Sequence, residues 1–412
     1  MPDLRPFRGL TPAPGRGADV ASPPYDVLSK REAAELCQAH VDSFLHVIRP
    51  DALLTDDVDA HGPRAYERAA SELARLRSSG ALIRPERPAL YAYRLQWRGW
   101  TQTGIVGLAA VDDYDSGIVK KHEHTRPDKE SDRADHIEHL KAQCGPVFLI
   151  CPASEGLRGW IAEATAGAPV QDFEADEVRH TVWSVDSETG IETARALFAS
   201  MDATYVADGH HRSAAASVVR RRRRRSAEPG DEGGWRPEDG FLTVTFPADE
   251  VQILPYNRAV RDLAGLTLAD FVGRLANNFE VGDAPDTPGP TAPGVFDVYL
   301  PDGWRRLTAR PTVRSADPVD GLDVATLQDH LLAPILGIGD PRLDTRIAFV
   351  GGIRGTAELE RLVDSGEHAV AFALHATPID ALLRVADSGR VMPPKSTWFE
   401  PKLRSGLFVH LL

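Results

Sequence analysis

The run Thr204-Tyr205-Val206-Ala207 leads without a break into Asp208-Gly209-His210-His211-Arg212, and from there into an Ala/Val/Arg-rich stretch, Ser213 to Arg222. The spacing predicts a strand, a tight glycine turn and a helix. Such a junction aims backbone N–H groups and the positive end of the helix dipole at one point, which suits a phosphate. In that reading Gly209 lets the backbone approach the ligand closely, and Arg212 forks onto phosphate oxygens while His210 and His211 donate hydrogen bonds. The plain alternative is a polar turn with Asp208 as N-cap. Four adjacent polar residues between an apolar strand and an apolar helix are costly to keep without a ligand, which favours the binding reading.

A second group of chemically versatile residues spans Lys120 to Glu130. Glu123 is the candidate general base, Lys121 and Arg126 offer compensating charge, and His124 and Thr125 offer hydrogen bonds. This mixture suits phosphoryl chemistry, where positioning and charge compensation supply most of the catalysis. A charged surface loop is the alternative. His136 and His139 lie three apart on one predicted helix face and could ligate a metal, but no His-Glu-x-x-His or Cys-x-x-Cys pattern accompanies them, so the metal stays unassigned. Two flanking segments are candidates for the rim of the same pocket. Ser22-Pro23-Pro24-Tyr25-Asp26 is a stiff turn that would fix Tyr25 and Asp26, and Pro394-Lys395-Ser396-Thr397 offers an ammonium and two hydroxyls. The latter is no P-loop, because no Gly-x-x-x-x-Gly precedes its lysine.

Patterning divides the chain into three regions, 1–145, 146–265 and 266–412. In the first, Ser29 and Glu32 form a capping box that starts a helix, Ser43 to Ile48 reads as a short buried strand, and Arg64 to Ser78 repeats apolar residues at helical spacing. Two strands, Ala89 to Leu95 and Thr101 to Val111, are expected to turn at Arg98-Gly99. The middle region predicts strands at Val147 to Ile150, His180 to Val185 and Thr204 to Ala207, and a helix at Gly190 to Ala199. Phe241 to Phe246 and Val251 to Pro255 look like paired strands. The Pro/Gly/Asp stretch Gly282 to Gly294 reads as a linker within a last region of mixed helices and strands.

Bulk properties narrow the function classes. No apolar stretch approaches the roughly 20 residues of a membrane helix, and the N-terminus lacks an apolar run with a cleavage site, so a soluble, cytoplasmic protein is expected. A net charge of −13 argues against general nucleic-acid binding. The six arginines Arg220 to Arg225 are the local exception, read as a solvated helix end followed by a flexible loop over Ser226 to Gly240. Cys37, Cys144 and Cys151 are too few and too irregular for a disulfide framework or a zinc site.

Five segments in this order are shared with one bacterial family: Arg5-Pro6-Phe7-Arg8-Gly9, Ser22 to Val27, Lys121 to Thr125, Ala207 to Arg212 and Met392 to Thr397. On them the chain resembles the domain of unknown function 1015 family over nearly its whole length. Gly209 to Arg212 in turn looks like the Gly-x-x-Arg phosphate-binding box of the ParB/sulfiredoxin superfamily, although a sulfiredoxin's catalytic cysteine has no counterpart here. The resemblance implies a mixed α/β, multi-lobed fold with a ParB/sulfiredoxin-like phosphate-binding core. It also implies a nucleotide (ATP or ADP) with Mg2+, and a phosphotransferase or phosphohydrolase acting on a small metabolite such as serine or phosphoserine. In that scheme Glu123 is the base, with Asp208 or Asp26 as the alternative, and His124 and His211 stabilise charge. The runner-up is a non-catalytic, nucleotide-sensing ParB-like regulator.

Overall fold

Arg98 and Gly99 both take positive φ, 49° and 81°, the backbone of a tight hairpin turn that matches strand twist. They join two long strands at the centre of a mixed sheet. The structure, a computed structural model, describes residues 1–55, 57–226 and 234–412 and divides into two compact units. The first comprises Met1–Val251 together with Pro401–Leu412, and the second Gln252–Glu400.

The first unit is built on nine strands: β1 (Leu4–Arg5), β2 (Leu90–Trp97), β3 (Trp100–Ala110), β4 (Val119–Lys120), β5 (Val147–Cys151), β6 (Gln171–Ala175), β7 (Val178–Val185), β8 (Thr204–Asp208) and β9 (Gly240–Pro247). Their order is β4-β8-β5-β9-β3-β2-β7-β6, with β1 paired to β3. The pairs β4–β8 and β5–β9 are parallel, and the rest are antiparallel. β5 and β9 are buried along their whole length, as strands covered on both faces must be. The helices of this unit include α1 (Lys30–Ala39), α2 (Leu45–Ile48), α3 (Pro63–Ser78), α4 (Pro127–Leu140), α5 (Glu155–Ala164), α6 (Glu188–Ala199) and α7 (His210–Arg225). α1 starts at Ser29 with the reciprocal Ser29–Glu32 capping box.

Two contacts of α7 set the position of the site. Its Ala214 and Ala216 pack with Val147, Leu149, Val206 and Phe241 of the sheet. Its Ala215 and Val219 pack with Ala134 and Ile137 of α4. Alanines at these positions let the helix backbones approach closely, so the starts of α4 and α7 are carried by one apolar seam.

The second unit holds a six-stranded antiparallel sheet. Its members are β11 (Tyr256–Val260), β12 (Phe279–Val281), β13 (Val295–Leu300), β14 (Gly303–Ala309), β15 (Ile347–Gly351) and β16 (Val370–Leu374), in the order β12-β14-β13-β16-β11-β15. A separate pair joins β10 (Gln252–Leu254) to β17 (Trp398–Glu400). Helices α8 (Asp323–Leu327), α9 (Ala357–Asp364) and α10 (Ile379–Asp387) belong to this unit.

Four expectations change. The first two sequence regions share one sheet and so form one unit, to which residues 401–412 return from the third. Ser43 to Ile48 contains the short helix α2, not a strand: the Leu45 amide donates to Ser43 Oγ and that of Phe44 to Val20, and a short apolar run has no periodicity with which to distinguish the two. Phe241 to Phe246 lies between β3 and β5 and has no free edge, and Gln252 to Leu254 pairs with Trp398–Glu400 instead.

The arginine run is the fourth. Arg220 and Arg224 both bind Asp239, at 2.8 and 2.7 Å, Arg220 also meets Asp112, and Arg222 bridges Asp135 and Glu138 at 2.7 Å each. Arg220, Arg222 and Arg224 thus form an ion-pair clamp between α7, α4 and the Pro237–Asp239 turn, while Arg221 and Arg225 remain exposed at the helix end as expected. Of the loop expected after it, residues 227–233 lie outside the described residues. The Asp239 side chain is only 5% exposed and also accepts the Arg236 amide. Asp239→Ala should therefore cost roughly 3 kcal/mol of unfolding free energy in urea titrations, the scale for breaking a buried pair. A loss below about 1 kcal/mol would mean that water satisfies both guanidinium groups as well as the carboxylate does.

Candidate functional site

β8 runs one residue past its apolar segment. Val206 pairs with Leu149 but Asp208 with Phe148, a slip in the ladder that ends the strand in a bulge. Gly209 follows with φ +99°, and α7 begins at His210. The N-cap is thus Gly209, not Asp208, and no side chain caps the helix. Gly209 O accepts the amides of Arg212 and Ser213 at 2.9 and 3.0 Å, which leaves those of His210 and His211 without intrahelical partners. A Cβ at residue 209 would lie 3.0–3.1 Å from the Arg212 guanidinium in addition to the backbone strain.

Arg212 folds back over this turn. Its guanidinium donates to the Pro146 carbonyl and stands 3.8 Å from Asp208, with the side chain 15% exposed. Lys402 reaches the same carboxylate, Nζ donating to Asp208 Oδ2 at 3.3 Å. Burial alone would raise the Asp208 pKa, but Lys402 and then Arg212 outweigh it and hold the carboxyl well below the usual range. A carboxylate so stabilised is a poor proton acceptor at neutral pH, which makes Asp208 a counter-ion rather than a base.

The Lys121–Arg126 segment lies against the start of α7. Glu123 Oε2 is 3.8 Å from His210 Nδ1, and the Arg126 amide donates to His211 Nε2 at 3.2 Å. An acceptor Nε2 places the proton of neutral His211 on Nδ1. Burial lowers the His211 pKa, against the nearby carboxylates of Glu130 and Asp26. His210, 5% exposed, meets His122 edge to face with ring centroids 4.5 Å apart. Burial, and for His210 also the adjoining His122, keeps both imidazoles neutral; His122 is pushed down to about 4. His122 Nδ1 and His210 Nε2 are buried with no hydrogen-bond partner among the described residues. Orphaned polar atoms at that density call for a ligand or a water.

Other sequence candidates fall into place around this centre. Lys121 Nζ sits 4.1 Å from the centre of the Tyr114 ring, Thr125 donates to Glu130, Arg126 pairs with Asp128 at 2.8 Å, and His124 is exposed. Tyr25 and Arg212 line one cavity of about 40 Å3 with Arg133, His136, Gln143 and Ser405. That is room for a water molecule rather than a metabolite. Asp26, next in the chain, is exposed. Lys395, Ser396 and Thr397 belong to the second unit, where the Lys395 carbonyl accepts from Arg258 at 2.9 Å and that of Ser396 from Thr377 at 2.7 Å.

His136 and His139 do not converge on a metal. His136 Nε2 donates to the Val47 carbonyl at 3.1 Å, His139 Nδ1 donates to the Asp135 carbonyl at 2.7 Å, and both rings pack on Tyr66. Among the described residues no three His, Cys, Asp or Glu side chains are grouped to hold a metal ion. One contributor escaped the sequence reading: Lys402 lies 194 residues from Asp208 and carries no local signal. Arg133, which follows the Lys120–Glu130 group in the sequence, pairs with Asp132 at 2.6 Å and stacks 4.5 Å over Tyr25.

The Arg212 geometry separates two roles. If its guanidinium mainly braces the turn, Arg212→Ala should lose about 1.5–3 kcal/mol of stability, the scale of a hydrogen bond to a charged group. Unchanged thermal stability with weaker phosphate binding would instead make it a direct ligand contact.

No curated protein sequence matches this chain. Similar solved structures include a free serine kinase in complex with AMP, 13% identical over 74% of this chain and 92% of that one, with a TM-score of 0.36. SbnI with C-terminal truncation from Staphylococcus aureus is 12% identical, with coverages of 74% and 87% and a TM-score of 0.39. A conserved hypothetical protein from Pyrococcus furiosus is 12% identical, with 72%, 90% and 0.33. At that distance the chemistry of this chain rests on its own residues. The family described as protein of unknown function (DUF1015) matches residues 4–325, which take in every part of the site except Lys402, and the chain belongs to that family.

Proposed function

We propose that the first unit binds the phosphate of a nucleotide at the Gly209 turn and catalyses phosphoryl transfer to, or hydrolysis from, a small metabolite, with serine and phosphoserine as the candidate pair. The observation that carries this reading is the meeting of a carboxylate with an uncapped helix start. Glu123 Oε2 stands 3.8 Å from the Nδ1 of His210, the first residue of α7, and the His210 and His211 amides lack intrahelical partners. The Gly209-x-x-Arg212 spacing also fits a ParB/sulfiredoxin-like phosphate box.

The residues divide the work. Phosphate oxygens sit against the two amides and the helix dipole, with Gly209 allowing close approach. The Asp208–Lys402 pair and Arg212 fix the turn from behind. Glu123 takes the proton of the attacking hydroxyl as its oxygen bonds to phosphorus and the bond from phosphorus to the nucleotide leaving group breaks; in phosphoserine hydrolysis water is the nucleophile, the bond from phosphorus to the serine oxygen breaks, and that oxygen takes up a proton to leave as the free hydroxyl. The Nδ1 proton of His211 is available to the charge that develops. Mg2+ typically keeps several waters and rides on substrate phosphates, so this donor-poor site would fit a metal delivered on the phosphates of ATP or ADP. The metal would neutralise charge on the phosphates.

The test is to incubate the full chain with ATP or ADP, Mg2+ and L-serine, or with phosphoserine alone, and to follow phosphoserine and free phosphate. Nucleotide-dependent phosphoserine formation or phosphoserine hydrolysis supports the reading. Tight nucleotide binding without turnover on any hydroxyl acceptor would replace it with a nucleotide-sensing regulator.

A further inference from the structure

The second unit contains a cavity of about 400 Å3 that the phosphate site does not use. Its wall comprises Pro293, the Ser315–Leu322 loop, Asp323 at the start of α8, His375 to Pro378 after β16, and Ala381 and Arg384 of α10. The volume falls in the range of small-ligand sites.

The wall is built and its charges are unevenly matched. Asp317 ties the loop by accepting the amides of Val319 and Asp320 at 2.8 and 3.0 Å, and Arg390 pairs with both of its oxygens. Asp317 is therefore already balanced. Asp323 accepts the Gly294 amide at 2.7 Å, yet burial outweighs that bond and the field of Arg314, and pushes its carboxyl up to about 6. The Arg314 guanidinium itself donates to the Pro293 carbonyl at 2.7 Å and fills the space where a residue larger than Gly294 would place its Cβ. Asp323 thus faces the cavity as an under-compensated acid. On another part of the wall Arg384 is exposed, His375 Nδ1 is buried with no partner among the described residues, and α10, whose N-cap is Pro378, has no side-chain cap. Those three features suit the negative end of a ligand, and Asp323 suits a positive end.

We propose that this cavity is a second ligand site, taking a small amphoteric molecule of the α-amino-acid class, with its ammonium group against Asp323 and its carboxylate toward Arg384 and His375. The prolines and alanines of the wall leave room for a short side chain.

Calorimetric titration of the full chain with each common L-α-amino acid, the corresponding methyl esters and the corresponding α-hydroxy acids tests this directly. At least one amino acid should bind, and its ester, lacking the carboxylate, and its hydroxy acid, lacking the ammonium, should bind about tenfold to a hundredfold more weakly. Asp323→Asn and Arg384→Ala should each weaken binding by a similar factor; Arg384 is exposed, so its variant serves if the other fails to fold. Gly209→Val should leave this binding intact even if it abolishes nucleotide binding, which separates the cavity from an amino-acid substrate held at the phosphate site. Absence of binding by every amino acid at millimolar concentration overturns the proposal. So does binding that Gly209→Val abolishes and that neither cavity variant alters.

Discussion

Glu123→Gln is expected to lower turnover by about 10² to 10⁴-fold while nucleotide affinity stays unchanged. A hydroxyl is a weak nucleophile at neutral pH and needs a proton acceptor beside it. The Glu123 side chain is 48% exposed, so substrate and solvent can reach it, and His210, 3.8 Å away, is held neutral by burial. Glutamine retains the size and much of the hydrogen bonding but cannot accept the proton. Single-turnover assays with bound nucleotide separate the chemical step from binding. Full activity in this variant would transfer the base to Asp26, which lies close enough to His211 to oppose the lowering of its pKa; Asp208 is held by Lys402 and Arg212.

The second large effect is on stability: the first unit is expected to unfold cooperatively as the pH falls from about 5.5 to 4, beginning above the range in which carboxylates titrate. Burial pushes His122 and His410 down to about 4 and His136 and His180 to about 3, and His210 well below its ordinary value. In the unfolded chain each titrates near 6.5. As the pH falls below 6.5 the unfolded state takes up protons that the folded state refuses, so stability declines with acid until the folded pKa values are reached. Each histidine contributes up to about 1.4 kcal/mol per pH unit, and four together roughly 5 kcal/mol per unit, which consumes a typical folding free energy in one to three units. Circular dichroism against pH reads the transition, and His136→Gln should move it to lower pH relative to the variant's own stability at pH 8. A folded chain at pH 3 would contradict the burial of these rings. The Asp239 clamp acts in a separate window: burial raises its pKa but the arginines depress it, so its contribution is present above the ordinary value of 3.8 and is lost below it.

What could be read in the sequence was whatever is encoded locally. The capping box at Ser29, the Arg98-Gly99 hairpin and the strand-turn-helix at Gly209 each depend on neighbours in the chain, and each forms. The polar density of Lys121 to Arg126 and Asp208 to Arg212 also marked two segments that pack together, through Glu123 and His210 and through Arg126 and His211. Long-range closure left no such mark. Arg212 reads as a phosphate fork because its spacing is right, yet the Pro146 carbonyl that engages it is 66 residues away. The arginine run reads as a solvated end because the partners of Arg220, Arg222 and Arg224, from Asp112 to Asp239, are scattered through the chain. Asp323 and His375 were not singled out at all, since neither forms a motif and only the fold puts them on one wall.

The return of residues 401–412 to the first unit has a consequence for how the protein is made. At about 5–20 residues per second, synthesis of residues 252–400 takes roughly 7–30 s after Val251 has been added. Throughout that interval the nascent first unit lacks Lys402 beside Asp208, the Val409 partner of Leu10 and the His410 strand that pairs with Gln143. Asp208 meanwhile faces Arg212 alone, and an apolar cluster that includes Val409 stays open to whatever binds exposed hydrophobic chain near the ribosome. The Gly209 turn is therefore completed by residues that leave the ribosome after the entire second unit, so a chain released early would carry the Asp208–Arg212 segment without the lysine that balances it.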